Sequence, residues 1–273
     1  MENKELSIII TSYKKPELLE LCINSVKNSV QSDLDYEIIV ADSVTEESTF
    51  DLMRDKFPEV IFLGNKENQG FGRLVNQGLI KARGEYLFII NHDIIVKGDA
   101  INELLSFIKS DESIGLVGPR LINFDGRTQP SAFRFYAWRT IFYRRTFLGK
   151  FSFAKKHLKE FLMEEELSAN RIVDVDWVMG SAMMVPRKAV DIVGGFDERF
   201  FMYFEDVDWC RRFWENGYRV VYNPFVTVAH YHGKASGNKS VVKAVVSNKY
   251  TRLHIESAAK FFWKYFGKDN PHG

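Results

Sequence analysis

The residues best able to do chemistry in this chain are acids and histidines at the ends of apolar runs. Asp93 follows the run at 86–90, with Asn91 and His92 before it. An acid after a hydrophobic strand, with a polar residue two positions earlier, suits a divalent cation. Hard cations such as Mg2+ take oxygen ligands and often sit on substrate phosphates. One carboxylate is a thin site, so a nucleotide would supply other ligands. His230 and His232 end another run. Side chains two apart on a strand share a face, so both are buried structural groups or both face one site. An imidazole there can complete a metal site begun by Asp93. Glu205, Asp206 and Asp208 open a helical stretch among Phe200, Phe201, Tyr203, Phe204 and Trp209. Acids favour helix N-termini through the macrodipole, but a carboxylate in aromatic surroundings can also serve as a general base. Burial would raise its pKa, whereas the helix terminus and a nearby cation would lower it. The sequence leaves that balance open. Asp42 follows the run at 37–41 and reads as a loop acid or a ligand contact. Gly70 and Gly72, ahead of Asn76-Gln77-Gly78, suit a phosphate loop or an ordinary turn. Arg73 beside them can reach a diphosphate as a charge-assisted donor.

These residues need a scaffold that gathers strand ends. Apolar runs at 6–10, 37–41, 60–63, 86–90 and 115–118 predict strands. Amphipathic stretches from Pro16, at 76–82 and at 99–109 predict helices between them. Alternating strands and helices imply a mostly parallel, Rossmann-like α/β sheet covered on both faces. Ligands bind such sheets beyond the C-terminal strand ends. The turn after the first strand, Thr11-Ser12-Tyr13-Lys14-Lys15-Pro16, has no glycine, which argues against a dinucleotide-binding enzyme. Further on, 180–185, 219–222 and 225–230 read as strands, 205–215 as a helix, and 241–266 as mainly helical.

Taken in order, the motifs resemble the family 2 glycosyltransferases, within them the rhamnosyltransferase-like bacterial branch. The resemblance runs over about residues 5 to 240. Its motifs are Ile-Ile-Ile-Thr-Ser-Tyr at 8–13, Val-Ala-Asp-Ser at 40–43, Asn-Gln-Gly-Phe-Gly at 68–72 and Asn-His-Asp at 91–93. Gly-Ser-Ala-Met-Met-Val at 180–185, Gly-Gly-Phe-Asp-Glu at 194–198, Phe-Met-Tyr-Phe-Glu-Asp-Val-Asp-Trp at 201–209 and His-Tyr-His-Gly at 230–233 complete the set. The resemblance implies a GT-A fold and an inverting transfer from a nucleotide-diphosphate sugar. It implies that Thr11, Tyr13 and Asp42 hold the base and ribose. Gly70, Arg73, Asn76, Asn91 and His92 are expected on the same nucleotide-sugar side. Asp93 matches the last acid of an Asp-x-Asp metal motif, with Asn91 replacing the first, and His230 matches its metal-holding histidine. Mg2+ or Mn2+ is the implied cofactor. Asp206 matches the catalytic base, Glu205 its motif partner, and Trp177, Asp197 and Glu198 would lie near the acceptor. The branch leans to dTDP-rhamnose, with UDP sugars next, and to a glycan or lipid-linked acceptor in cell-surface polysaccharide synthesis.

The remaining features bound this reading. The chain has 273 residues, 45% hydrophobic, with a formal charge of +1, which is globular and no magnet for nucleic acid. Two cysteines and the lack of a signal-like or membrane-spanning run point to a cytoplasmic protein, peripheral on the inner face of the membrane. Residues 126–159 hold nine Lys or Arg, no acid and nine aromatics. Such a segment suits an anionic membrane surface, single-stranded nucleic acid, or an insertion packed on the sheet. The aromatic C-terminal stretch is similar, and also reads as a packing helix or a homodimer contact. The expected layout is a GT-A domain at 1–240, with a nucleotide-sugar half at 1–120, an acceptor half at 121–240 and the insertion within it, then a helical tail at 241–273. Two rivals are a degenerate sugar-binding scaffold, which Asn91 favours, and a nucleotidyltransferase, whose basic glycine loop after the first strand is missing.

Overall fold

The computed structural model describes residues 3–231 and 249–272. Its first half runs β1 (Lys4–Tyr13), α1 (Pro16–Ser29), β2 (Tyr36–Ser43), α2 (Glu47–Lys56), β3 (Ile61–Asn65), α3 (Phe71–Lys81), β4 (Gly84–Asn91), β5 (Ile94–Val96), α4 (Ala100–Lys109) and β6 (Ile114–Ile122). The second half runs β7 (Thr128–Gln129), β8 (Ala132–Phe133), α5 (Trp138–Arg145), a 3-10 turn (Phe147–Lys150), α6 (Ser152–Phe161), α7 (Glu164–Ser168), β9 (Val173–Asp174), β10 (Trp177–Val178), β11 (Ala182–Pro186), α8 (Arg187–Val193), α9 (Glu205–Glu215) and β12 (Arg219–His230). A C-terminal helix, Lys249–Lys264, follows.

The main sheet has the order β3-β2-β1-β4-β11-β6-β12-β5. β1 is parallel to β2 and β4, β2 to β3, and β12 to β6, while β11 and β5 run against their neighbours. The sheet is thus mostly parallel, and both faces are buried. In β1, Leu6, Ile8 and Ile10 face a core shared with Leu19, Ile23 and Val26 of α1 and Ile101, Leu104 and Ile108 of α4. Ile9 points to the other core, with Val75 of α3 and Phe213 of α9. This two-residue alternation lets one short run serve both layers. Pro16 starts α1 at a position whose N–H would have no helical partner. Gly78 lets α3 lie close on β1, since a Cβ there would stand 2.4 Å from the Ile9 side chain.

Several elements differ from expectation. α3 starts at Phe71, five residues before the predicted 76. The helices α2 and α8 carry little apolar periodicity; α2 buries only Thr49 and Met53. The two strands expected at 219–222 and 225–230 are one, β12. Its pairing with β6 shifts between Asn223 and Thr227. Pro224 has no N–H to give the ladder, and Asn223 Oδ1 accepts the Phe225 N–H at 3.0 Å. The sequence break is a bulge within a strand.

The basic aromatic insertion splits its rings. Phe133 stacks on Trp177 and Phe161, and Tyr136 joins them. Trp138 (72% exposed), Phe142, Phe147 (71%), Phe151 and Phe153 face outward. Part of the segment is thus packed into the core and part is open to solvent. In the C-terminal stretch Phe261 and Tyr265 are buried, whereas Trp263 and Phe266 are exposed. The predicted helix at 241–248, the 240/241 boundary, His232 and Gly233 lie outside the described residues. Among the described residues no helix is long and apolar enough to cross a membrane.

Candidate active site

The C-terminal ends of β1, β2 and β4 bring the expected nucleotide residues together. Thr11 is paired in register with Ala41 and Asn91, and Ser12 with Asp42. Thr11 Oγ1 donates to Asn91 Oδ1 at 2.9 Å. The His92 N–H and the His92 ring Nδ1–H both go to the Thr11 carbonyl, at 2.9 and 3.2 Å. Burial pushes the His92 pKa down, with the nearby Asp93 charge opposing, so this ring is a neutral wall. Asp42 is fully buried, and neither carboxylate oxygen meets a donor in hydrogen-bond geometry. Burial raises its pKa, against smaller pulls from Thr45, Ser12 and His92. Tyr13, at the rim, is exposed.

One strand pairing builds the metal-type pair. After Asn91-His92-Asp93 the chain turns into β5, which pairs with the end of β12 so that Ile94 faces His230. The Tyr231 N–H donates to the Asp93 carbonyl at 2.8 Å. Asp93 Oδ1 is thereby held 3.5 Å from Nε2 of the buried His230. That oxygen is itself buried and accepts no hydrogen bond. The other ring nitrogen of His230, Nδ1, lies 2.8 Å from Gln129 Oε1. Two electron-pair donors at this distance fit a shared cation. Among the described residues no third His, Cys, Asp or Glu joins them.

The acid pair heads α9. Asp206 Oδ1 accepts the Val207 N–H at 2.9 Å and Oδ2 the Gly180 N–H at 3.0 Å. These bonds fix the plane of the carboxylate. Burial nevertheless pushes its pKa up to about 6. Glu205 is buried with Oε2 unpartnered, and burial, then the Asp206 charge, raises its pKa well above the usual range. Desolvation thus wins over the helix terminus, the question the sequence left open. Residues 180–181 link the two halves of the site: Gly180 N–H binds Asp206, and the Ser181 carbonyl accepts the Asn91 N–H at 3.1 Å.

The approach to the base is strained and braced. Tyr203 and Phe204 have φ of 69° and 67°, a left-handed conformation that costs non-glycine residues about 1–2 kcal/mol each. The C-terminal helix covers them. His254 packs on both rings and Phe261 on Phe204, while Ser257 Oγ donates to the Met202 carbonyl at 2.8 Å.

Other expected residues are used for packing. Gly70 has φ of 76°, and a Cβ there would stand 2.2 Å from the Phe201 carbonyl oxygen; its glycine is required by contact with the 201 segment. The Asn76 amide is spent at both ends. It accepts the Phe196 N–H at 2.7 Å and donates to the Phe196 carbonyl at 2.9 Å, and also reaches Glu198 at 3.1 Å. Arg73 lies 3.4 Å from Glu198, both about half exposed. Trp177 is 6% exposed and its indole N–H donates to the Arg134 carbonyl. It is a core residue beneath the insertion, because its flat ring completes the Phe133 stack. Asp197 is bound by Arg199 and Lys264, and the Arg199 hydrogen bonds hold its pKa far below the carboxylate range. Asp208, third of the helix-opening acids, is fully buried against Arg212, Lys264 and Tyr265. Gln129, absent from the expected set, is the residue that the structure adds; a lone glutamine in a polar loop carries no local signal.

An open sheet with acids at the end of β4 and at the head of α9 defines the class: a GT-A glycosyltransferase. The chain belongs to glycosyl transferase family 2, whose sequence model matches residues 7–170. It is 26% identical over 270 residues to the N-acetylglucosaminyl-diphospho-decaprenol L-rhamnosyltransferase of Mycobacterium tuberculosis, covering 95% of this chain and 86% of that protein. It is 32% identical over 180 residues to Rhamnosyltransferase WbbL of Escherichia coli, over 66% of this chain and 62% of that one. Its backbone is similar to a mannosyltransferase from Pyrobaculum calidifontis solved with GDP-Man and Mn2+, with a TM-score of 0.60, 14% identity, and 99% of this chain and 78% of that one covered.

Proposed function

We propose that this enzyme is an inverting transferase that moves a sugar, L-rhamnose from its dTDP donor ahead of UDP sugars, to a hydroxyl of a lipid-diphosphate-linked glycan in cell-surface polysaccharide synthesis. One observation carries the reading. The Gly180-Ser181 turn ties Asp206, a carboxylate of raised pKa, to the Asn91-His92-Asp93 turn that carries one half of the metal-type pair. The named relatives supply the lean to rhamnose and to a lipid-linked acceptor.

In this reading residues 1–120 bind the donor and 121–240 the acceptor. Thr11, Tyr13, Asp42, Asn91 and His92 surround the nucleoside. Asp93 and His230 hold Mg2+ or Mn2+. The ion, when bound, neutralises charge on the departing diphosphate. Asp206, oriented by two backbone N–H groups, takes the proton from the acceptor hydroxyl as that oxygen attacks the anomeric carbon opposite the leaving group. One in-line displacement inverts that carbon. Burial, then the Asp206 charge, disfavours a second charge on Glu205 beside the base. Arg73 and Glu198 line the exposed rim. The exposed rings of α5, the 3-10 turn and α6, among Arg139, Arg144, Lys150, Lys155 and Lys156, would rest on the anionic inner face of the membrane.

The test is a panel of nucleotide sugars scored for Mn2+-dependent thermal stabilisation. The reading expects a rise in melting temperature with dTDP-rhamnose or a UDP sugar that disappears on chelation. A response to no nucleotide sugar would favour a degenerate scaffold.

A further inference from the structure

Gln129 lies outside the motifs and touches neither the nucleotide end of the sheet nor Asp206, yet its amide is fully ordered by partners. Its Nε2 donates to Asn123 Oδ1 at 2.7 Å and to the His230 carbonyl at 3.1 Å. Asn123 is itself fixed, because its Nδ2 donates to the Arg127 carbonyl at 3.1 Å. A backbone carbonyl only accepts, so this chain has one consistent direction. The Arg127 carbonyl forces Nδ2 of Asn123 toward it, which leaves Oδ1 for Gln129 Nε2, which in turn aims Oε1 at His230. The group at 2.8 Å from His230 Nδ1 is therefore an acceptor.

We infer that Gln129 is a positioning residue that fixes His230 in its Nδ1–H tautomer and so keeps Nε2 as the electron-pair donor facing Asp93. This deepens the proposed metal role of Asp93 and His230 and rests on it. The chemistry is that of outer hydrogen bonds at metal sites: the nitrogen that is not a ligand donates to an acceptor, which selects the tautomer and the ring orientation. Without that acceptor, the proton gains by moving to Nε2, where the buried Asp93 Oδ1 would accept it 3.5 Å away. The pair would then satisfy itself and close to a cation. The short hairpin carrying Asn123, Arg127 and Gln129 thus acts on the site through one nitrogen.

The test uses the full chain labelled with 15N-histidine, at a pH where imidazole is neutral. Long-range 1H–15N spectra report each ring's tautomer, and His230→Gln assigns the signal among six histidines. Wild type should show Nδ1–H at His230. Gln129→Leu should shift it to Nε2–H and weaken Mn2+ binding about 10–100-fold, the usual effect of losing such a partner. Gln129→Glu keeps an acceptor for Nδ1–H while losing the donor to Asn123 Oδ1 and the His230 carbonyl, and should keep the tautomer. Mn2+ affinity is read by broadening of the His230 signal in the presence of dTDP, with melting curves showing that each variant folds. An Nε2–H tautomer in wild type, an unchanged tautomer in Gln129→Leu, or equal loss in both variants would overturn the inference. The expected tautomers with no Mn2+ broadening in wild type would leave the inference standing and remove the metal role itself.

Discussion

Replacing Asp206 by Asn separates the chemical role of this carboxylate from its cost to the fold. An amide cannot take the acceptor proton, so transfer should fall by about 10²–10⁴-fold, the range for loss of a general base. The same change should stabilise the empty protein. Burial lifts the Asp206 pKa to about 6 from an ordinary value near 4. Holding it ionised in the fold above pH 6 therefore costs at most about 3 kcal/mol, at about 1.4 kcal/mol per pKa unit. Asn removes that charge and its pressure on Glu205. Its single acceptor oxygen can serve only one of the Gly180 and Val207 N–H groups, and losing one hydrogen bond costs about 1 kcal/mol. The net gain at pH 8 is roughly 1–2 kcal/mol, or a few degrees of melting temperature for a chain of this size. The sign follows from linkage. A carboxyl whose folded pKa is raised binds its proton more tightly when folded, so the penalty is absent near pH 4, grows between about 4 and 6, and is complete above. Melting curves at pH 4 and pH 8 beside transfer rates at pH 8 check both parts. Wild-type turnover in the variant, or a lower melting temperature at pH 8, would refute the reasoning.

Other outcomes follow from the same site. The kcat/KM of the wild type should rise with pH through about 6 and then level, as Asp206 loses its proton; a profile flat from pH 5 to 8 speaks against Asp206 as the base. Chelation should abolish transfer, and Asp93→Ala should do the same at any practical Mn2+ concentration; activity in excess chelator would remove the metal from the account. Lys264→Met leaves partly buried Asp197 to Arg199 and buried Asp208 to Arg212 and Tyr265 and should lower stability by roughly 1–3 kcal/mol, read by urea unfolding; an unchanged midpoint would mean the C-terminal helix is not held by this ion pair. Replacing Trp138 and Phe147 by Ser should release the protein from anionic liposomes in sedimentation while leaving the melting temperature unchanged; equal binding before and after would retire the membrane face.

The parts of this molecule that were legible in sequence are those whose signal is local. The strands β1, β2 and β4 are continuous apolar runs, and the acids and polar residues that follow them fall at strand ends wherever the runs stop. This is why Thr11, Asp42, Asn91 and Asp93 share one edge of the sheet. Helices with a full apolar stripe, α1 and α4, were equally clear, whereas α2, with a polar sequence, was not. What was illegible depends on partners far along the chain. Asn76 spends its amide on Phe196, 120 residues away. Trp177 is buried by rings of the insertion, and Asp197 by Lys264 from the last helix. Gln129 finds His230 only because β7 is laid beside β6. Residue type and spacing cannot tell a polar group aimed at a ligand from one already committed to distant backbone.

The central claim is sugar transfer by a single displacement with Asp206 as base, and the configuration of the product tests it most directly. The nucleotide sugar that stabilises the protein would be incubated with Mn2+ and a lipid-diphosphate-linked N-acetylglucosamine acceptor, and the new anomeric linkage read by proton NMR. The account expects a glycoside whose anomeric configuration is opposite to that of the donor. A product that retains the donor configuration, or hydrolysis with no glycoside formed, would contradict it.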